Sequence, residues 1–253
     1  GYYFTEAEIY SELLQRKPGQ GELASPRREP DIPVLYSGIN AANTMEGFEN
    51  AEYCNGTPLV ILIPNLDRHF EHIEQYRTTN RTPRPGHASY ASYHKYGKWD
   101  DAIGAGFFSG RYTSTLVAAG AVAKRVLKNH GIEIFAYVRE AAGVVAPEID
   151  HEVAKKKVQA FKDYRRDTDP VYELVFGQER FKPGMRFLEK MAVLAEIEKM
   201  VPDIKRAPLT DEQMAELKEQ GIHFDMNCPD LEAATAMHDK IVEIRDSGDS
   251  SGG

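Results

Sequence analysis

The segment "GAGFFSGRYTSTLVAAGAVAKRVLKNHGIEIFAYV", residues 104–138, passes from a helical pattern directly into a strand pattern. Thr113 or Ser114 can cap a helix here, and Gly131 is placed to end it. Small and apolar side chains recur at the helical interval and predict an inner stripe of Leu116, Gly120, Ala123 and Leu127. The alternating "IEIFAYV" that follows predicts a strand. We therefore expect this helix and strand to pack as neighbours on a sheet.

Upstream, two further stretches have clear patterns. "TEAEIYSELLQ", residues 5–15, predicts a helix with Thr5 as its N-cap and Glu8 at the capping-box position. "TPLVILIPN", residues 57–65, contains five consecutive apolar residues between two prolines. A run of this kind is typical of a strand covered on both faces, so we expect it in the centre of a sheet.

Downstream, the character of the chain changes over residues 150–220. Three charge-rich segments there have helical periodicity: "DHEVAKKKVQAFKDYRR", "RFLEKMAVLAEIEKM" and "TDEQMAELKEQG". We expect these helices to be peripheral. A fourth helix is predicted in "CPDLEAATAMHDKIVEIRDSG", which opens near Pro229 with acidic residues in its first turn.

The composition limits the classes of function. The 253 residues are 42% apolar and carry a formal net charge of −8, which argues against a surface built for nucleic acid but is compatible with a small basic pocket. No apolar run approaches the roughly 20 residues that span a bilayer. Cys54 and Cys228 are too few for a disulfide framework or a zinc site, so we expect a reducing, cytoplasmic compartment.

One candidate anion site lies at "FFSGRYTSTLVAAG". Two glycines and a serine lead into a helix start, where unpaired backbone N–H groups favour a phosphate or carboxylate. Arg111 adds a positive charge at the same place. The alternative is a tight turn in which Arg111 pairs with a neighbouring carboxylate.

A second candidate is "RPGHASY", residues 84–90. Pro85 and Gly86 form a turn that presents Arg84 and His87. A histidine held in this way exchanges protons near neutral pH, and an adjacent arginine favours an anionic ligand. The alternative is an imidazole that is solvated or bonded to the backbone.

A third candidate is the cationic loop "QRKPGQGELASPRREPD", residues 15–31. Its cations are Arg16, Lys17, Arg27 and Arg28. Such a set is either a solvated face or the compensation that an anionic substrate needs when it loses water. His69 and His72 have helical spacing, but no third and fourth ligand accompany them, so we predict no metal site.

Together, these motifs resemble those of the chorismate synthase family. The resemblance is carried by "RKPGQ" and "RREPD" within residues 16–31, "LYSG" at 35–38, "GTPLVILIPN" at 56–65, "RPGHASY" and "KYG" at 84–97, "FSGRYT" and "AAGAVAKRVL" at 108–127, "GIEI" at 131–134, and "CPD" and "GDSSGG" near the end. "RPGHA" followed by the glycine- and alanine-rich helix start is highly specific in combination.

The resemblance implies a function and a site. Family members convert 5-enolpyruvylshikimate 3-phosphate to chorismate by anti 1,4-elimination and require reduced FMN. The resemblance also suggests an association with NADP. It implies a homotetramer and an α+β fold with helices sandwiched between antiparallel-rich sheets. His87 would donate a proton toward the flavin. Arg16, Arg84 and Arg111 would bind the substrate, and Phe107, Phe108 and Ser109 would line the flavin.

The chain also departs from the family pattern. Many members have an arginine where this chain has Glu22, which we expect to oppose a substrate anion, and the family pattern also differs at Ser89, Ile103, Ala105 and Phe107. The family's "GESHG" motif is expected before Gly1 and more of the flavin site after Gly253. Residues 1–253 are therefore expected to be one incomplete domain, inactive alone, with "GDSSGG" as an interior turn and residues 150–220 as an insertion.

Two alternatives remain at the level of the sequence. The first is a non-catalytic relative that keeps the scaffold, suggested by the departures at Glu22, Ser89 and Phe107. The second is an unrelated phosphate-binding module that uses the helix start after Arg111 and needs no flavin.

Overall fold

A computed structural model describes residues 2–25, 27–41, 52–67, 71, 74, 75, 82, 86–100, 107–182, 184–204 and 208–248. The helices are α1 (Glu6–Leu13), α2 (Ala88–Tyr96), α3 (Thr113–Lys128), α4 (His151–Asp167), α5 (Pro170–Tyr172), α6 (Phe187–Met200), α7 (Asp211–Glu219) and α8 (Leu231–Asp246). Tighter turns cover Gly97–Trp99 and Gly110–Tyr112, and a π-helical turn, Glu173–Gly177, follows α5. The strands are β1 (Tyr3–Phe4), β2 (Val34–Ser37), β3 (Ile39–Ala41), β4 (Glu52–Cys54), β5 (Val60–Leu62), β6 (Glu140–Ala141) and β7 (Val144–Val145). His69, His72, Arg84, Ile103, Ala105 and residues 249–253 lie outside the described residues.

Helix α1 confirms the predicted N-terminal helix and its cap. The Thr5 hydroxyl accepts a hydrogen bond from the backbone N–H of Glu8 at 3.2 Å, and the Glu8 carboxylate accepts one from the Thr5 N–H at 2.9 Å. This reciprocal arrangement satisfies two donors that a helix start leaves unpaired. The helix then buries Ile9 and Leu13 completely.

The described strands form small antiparallel sheets, with β4 between β1 and β3, β2 paired with β5, and β6 paired with β7. The expectation that β5 is central and covered on both faces is wrong. Within the described residues β5 pairs with β2 alone, and Val60 and Leu62 are each 37% exposed. Ile61 faces the cluster around Ile9 and Leu13. The apolar run fixes a strand, but it does not specify which neighbours cover its second face.

Helix α3 forms where it was predicted, but its buried face is different. Leu116 is 70% exposed, whereas Ala118 is 2% exposed and packs against α1. Small side chains on that face allow α1 to approach closely, and this packing decides the rotation of the helix. The predicted caps are also wrong, because Tyr112 is the N-cap and makes no side-chain cap. The predicted stop is confirmed: Gly131 has φ +72°, a conformation that favours glycine.

The predicted strand "IEIFAYV" is absent from the described structure. Residues 132–139 have no strand partner there, and Ile132 and Ile134 are 49% and 56% exposed. Hydrogen bonds to Asn227 hold this segment. The Asn227 backbone carbonyl accepts from the Val138 N–H at 2.8 Å, and its side-chain amide donates to the Ala136 carbonyl at 3.1 Å. An alternating pattern forms a strand only where another edge completes its hydrogen bonds. The predicted packing of this segment beside α3 on a sheet is therefore also wrong.

The helices predicted downstream are confirmed as α4, α6, α7 and α8. Asp230, which the sequence analysis did not single out, caps α8 by accepting a hydrogen bond from the Ala233 N–H at 2.8 Å. Glu232 lies in the first turn of that helix, as predicted. None of the helices that the structure describes is both long and apolar enough to cross a membrane.

Residues 150–220 contribute to a shared core. One cluster joins Tyr10 and Leu14 with Val175, Leu194 and Ile197, all of them at most 1% exposed. Burying such side chains contributes about 1.5–3 kcal/mol each. The helical range is thus packed on the N-terminal elements, and its status as an insertion relative to the family stays a prediction.

A buried charge triad connects α1, β4 and α6. Lys190 is 1% exposed, and its ammonium lies 3.0 Å from the Glu6 carboxylate and 3.3 Å from the Glu52 carboxylate. Glu6 also accepts a hydrogen bond from the Leu35 N–H at 2.7 Å. Burial raises the pKa of Glu6 from 4.5 to about 7, although Lys190 opposes this shift. Two carboxylates share one ammonium, so one of them is protonated readily.

This triad makes the stability of the fold dependent on pH. Folded Glu6 binds its proton more tightly than unfolded Glu6, so its stabilising contribution is complete below pH 4.5 and is lost as the pH rises through about 7. The shift corresponds to about 3 kcal/mol. We predict that Glu6→Gln removes most of this decline in the free energy of unfolding, measured by urea denaturation at pH 5 and pH 8. Glu219→Gln, at an exposed carboxylate, is the control and is expected to keep the decline; an unchanged decline in Glu6→Gln would refute the assignment.

Candidate functional site

The structure brings two of the predicted substrate-binding arginines into one charged network. Arg16 donates through Nη1 to Asp31 at 2.9 Å. Arg111 pairs through Nη2 with Glu29, and its charge also acts on Asp31. Arg16 and Arg111 are 95 residues apart in the sequence, so the fold and not the local motif joins them. The alternative for Arg111, pairing with a neighbouring carboxylate, is the arrangement observed.

The two carboxylates of this network are buried. Glu29 is 7% and Asp31 6% exposed. Burial raises the pKa of both carboxyls, and the neighbouring arginines oppose the shift. Asp31 also has φ +50°, a left-handed conformation that is costly for most residues and least so for Asp and Asn. The chain thus holds an acid in an unfavourable backbone conformation next to Arg16.

The side chain that follows Arg16 points into a second, deeper network. Lys17 donates from Nζ to Asp169 at 2.6 Å and to the Tyr10 hydroxyl at 2.8 Å. The Tyr10 hydroxyl donates to Asp169 at 3.0 Å, and the Gln20 amide donates to the same carboxylate at 3.2 Å. These four side chains are at most 9% exposed. Part of the cationic loop is therefore a buried structural element and not a solvated face.

A cavity of about 210 Å³ opens beside this network. It is lined by Lys17, Pro18, Gly19, Gln20, Arg27, Arg28, Asp169, Pro170, Val171 and Ile204. Arg28 donates to the carbonyl of Pro202, and Arg27 lies 4.0 Å from Glu29. Arg27 and Arg28 thus give the loop a cationic side toward the cavity, whereas the buried Glu29 carboxylate pairs with Arg111.

His87 begins helix α2. Its Nδ1 accepts a hydrogen bond from the Ser89 N–H at 3.0 Å, which makes His87 the N-cap of the helix. This is the backbone-bonded imidazole that the sequence left as an alternative. In the neutral ring this bond assigns the proton to Nε2, because Nδ1 is the acceptor.

The residues predicted to line a flavin lie at the start of α3. Phe107 is 63% exposed, and its ring centre lies 5.6 Å from that of Phe108 and 4.7 Å from that of Tyr112. Ser109 caps the short turn Gly110–Tyr112 by accepting from the Arg111 N–H at 3.3 Å. Exposed aromatic rings therefore lie beside the cation Arg111.

In the described part of the chain, no group of three or more His, Cys, Asp or Glu side chains is arranged to hold a metal ion.

Glu22, the marked departure from the family pattern, has partners of its own. It accepts a hydrogen bond from Arg245 on α8 at 3.0 Å, and His238 Nε2 lies 3.8 Å away. Arg245 pairs with the Glu22 charge, and this exposed ion pair connects the loop to α8. The effect of Glu22 on a substrate anion stays a prediction.

Several residues of the site were missed by reasoning from the sequence. Glu29 and Asp31 are part of the quoted "RREPD" motif, but only its arginines were considered as candidates. Two buried acids within a basic loop were the available signal, since such a pair needs cations nearby. Asp169 has no such signal, because its partners Lys17 and Gln20 are about 150 residues away in the sequence.

Comparison with known proteins assigns the family. The family model for chorismate synthase matches residues 1–253. The chain belongs to the chorismate synthase family. The resemblance inferred from the motifs is thereby confirmed.

Individual relatives agree with this assignment. A chorismate synthase from Acetivibrio thermocellus is 31% identical over 254 residues, covering 100% of this chain and 46% of that protein. One from Aeropyrum pernix is 42% identical over 58% of this chain and 35% of its own length. A chloroplastic chorismate synthase from Capnoides sempervirens is 39% identical over 58% of this chain and 31% of its own length. The chain spans less than half the length of these relatives.

The pairing of Glu22 leads to a prediction for the variant that restores the family's arginine. Glu22→Arg replaces the ion pair with two guanidinium groups that face each other, since Arg245 already faces this position. We expect the free energy of unfolding at neutral pH to fall slightly, because an exposed pair contributes little and like charges repel. The charge swap Glu22→Arg with Arg245→Glu is expected to recover most of this loss. Denaturant unfolding of both variants measures it, and equal stability of the single variant and the unaltered protein would contradict the pairing.

Proposed function

We propose that this chain forms part of a chorismate synthase that converts 5-enolpyruvylshikimate 3-phosphate to chorismate by anti 1,4-elimination of the phosphate. The observation that carries the proposal is the family match over residues 1–253. The network that joins Arg16 to Arg111 supports it, because an anionic substrate requires several cations at one place.

The arginines would bind the negative groups of the substrate, which are a phosphate and two carboxylates. Arg16 uses Nη1 for Asp31 and Arg111 uses Nη2 for Glu29. A guanidinium has five N–H donors, so each arginine retains donors for a ligand. The arginine side chains are 23% and 38% exposed, which leaves part of each group accessible. The carboxylates hold both cations in fixed orientations before the substrate arrives, which lowers the entropic cost of binding. Arg84 is assigned the same role by motif position.

His87 would act as the proton donor. Its Nδ1 is occupied by the Ser89 N–H, so the ring directs its Nε2–H away from the helix backbone. A histidine is suited to this task because its imidazole can act as a general acid or a general base. The cap bond thus orients the donor as well as the helix start.

The residues at the start of α3 fit a flavin in their chemistry. Phe107 and Tyr112 are 63% and 49% exposed and offer flat aromatic faces, on which a planar ring system can stack. Arg111 adds a cation for an electron-rich ligand. Phe107, Phe108 and Ser109 would hold reduced FMN, which supplies, when bound, an electron transiently to the elimination and helps to remove the ring hydrogen.

Other features of the family are proposed on the same basis. They are a homotetramer, a cytoplasmic location, an association with NADP, and the arrangement of helices between antiparallel sheets. The small antiparallel sheets and the helices of the described residues are compatible with an α+β fold.

The reaction itself is the direct test. The protein in its full natural length is incubated anaerobically with 5-enolpyruvylshikimate 3-phosphate and reduced FMN, and chorismate is followed by its absorbance. We expect chorismate to form and each ligand to alter the spectrum of the other. If no chorismate forms and neither ligand affects the other, the proposed function is wrong.

Two substitutions at His87 distinguish its role in proton transfer from its role as the N-cap of α2. Asparagine is a good N-cap but cannot transfer a proton near neutral pH. We predict that His87→Asn lowers kcat by about 10²–10⁴-fold while the thermal stability changes little, and that His87→Ala lowers both. His94→Asn, on the same helix, is the control and keeps the turnover. Normal turnover of His87→Asn would exclude the imidazole from the reaction.

A further inference from the structure

The loop that carries Arg16 is fastened at its first turn by an acid from the helical range 150–220. Asp169 accepts hydrogen bonds from Lys17 and Gln20, which flank the Pro18–Gly19 turn. It also accepts from the Tyr172 N–H at 2.8 Å, so the same carboxylate caps α5. Asp169 is 3% exposed, and its position is fixed by these bonds on several sides.

The turn between these contacts has little freedom. Pro18 restricts its own backbone and that of Lys17. Gly19 has φ +72°, and its N–H donates to the Ser25 carbonyl at 3.0 Å. The N–H groups of Arg16 and Lys17 donate to the Leu13 carbonyl at 3.1 and 3.0 Å. The anchored Lys17 side chain therefore holds the Arg16 backbone together with the end of α1.

A second acid fastens the same loop four residues beyond the turn. Asp225 accepts a hydrogen bond from the Leu23 N–H at 2.9 Å, and its side chain is 3% exposed. Arg165 on α4 lies 3.5 Å from the other carboxylate oxygen. Gly21 leaves room for this contact, since a Cβ there would come within 1.9 Å of Asp225 Oδ1.

Both anchors come from outside the loop and lie on elements far along the chain. Between them the loop is held at Lys17, Gln20 and Leu23. Arg16, which precedes Lys17, pairs with Asp31 at the end of the cationic loop of residues 15–31. The helical range and the segment that follows it therefore help to fix the position of this arginine.

We propose, on the basis of the proposed function, that Asp169 and Asp225 are positioning residues that hold the loop of residues 16–25 so that Arg16 faces the substrate. Their proposed role is to place Arg16 and not to contact the substrate. The helical range 150–220 then has a role in binding, because it supplies Asp169 and the Arg165 that supports Asp225.

The variant Asp169→Asn tests the first anchor. Asparagine keeps the size of the side chain and can still cap α5, but it does not neutralise buried Lys17. We expect the backbone amides of residues 16–25 to exchange hydrogen about tenfold faster or more. Asp167→Asn is the matched control, because Asp167 lies two residues away and its side chain is 62% exposed; it is expected to leave this exchange unchanged.

Lys17→Met with Asp169→Asn covers the case in which the single variant fails to fold. Removing both charges avoids an unpaired buried ammonium, so the double variant is expected to fold. The ion pair between residues 17 and 169 is still absent in it. Its loop is expected to exchange faster than that of the unaltered protein.

Gly21→Ala tests the second anchor. The added methyl group must displace the Asp225 carboxylate, so we expect faster exchange over residues 21–25. Gly120→Ala is the control, because nothing lies within 4 Å of a Cβ at that position.

Kinetics then test whether the anchors act through Arg16. We expect Asp169→Asn to raise the KM for 5-enolpyruvylshikimate 3-phosphate about tenfold or more, with kcat changed by less than about twofold. In an Arg16→Gln background the same substitution is expected to change KM by less than about twofold, because the residue through which it acts is gone.

The two proposals fail in different ways. If the unaltered full-length protein forms no chorismate, the proposed function is wrong, and the hydrogen exchange of residues 16–25 still decides on the anchors. If chorismate forms but Asp169→Asn leaves the exchange unchanged, or has the same effect on KM with and without Arg16, the positioning role is wrong.

Discussion

The buried ion pair between Lys17 and Asp169 is the constraint on which the described site depends. It places an ammonium and a carboxylate 2.6 Å apart in the interior, where each charge is costly without the other. The Tyr10 hydroxyl and the Gln20 amide complete the network. Because the two charges must lie in contact, the ion pair fixes the start of the cationic loop. It thereby holds helix α1, the loop and the segment before α5 together.

The arginines next to this pair illustrate how an acidic protein can present cations to a ligand. Arg16 and Arg111 each pair with a buried carboxylate whose pKa burial raises. The carboxylates orient the guanidinium groups and compensate their charge while no ligand is bound. A formal net charge of −8 is therefore compatible with a local basic site, because the protein organises its cations by pairing them.

The sequence predicted local structure well and long-range contacts poorly. The Thr5 cap, the stop at Gly131 and the downstream helices follow from neighbouring residues, so their patterns were sufficient. The rotation of α3 and the missing strand at residues 132–138 depend on partners elsewhere in the chain, which periodicity does not encode. In the site, the motifs identified Arg16 and Arg111, whereas Asp169 became visible only through its contacts. The pairing of Glu22 was missed for the same reason, because Arg245 is distant in sequence.

A crystal structure of the full-length protein with 5-enolpyruvylshikimate 3-phosphate and reduced FMN bound would show whether the two arginines bind one substrate molecule. We expect the guanidinium groups of Arg16 and Arg111 both to lie within about 3 Å of oxygens of the same substrate molecule, with Lys17 still bonded to Asp169. A substrate that contacts only one of these arginines, or a Lys17 side chain released from Asp169 in the complex, would contradict this expectation.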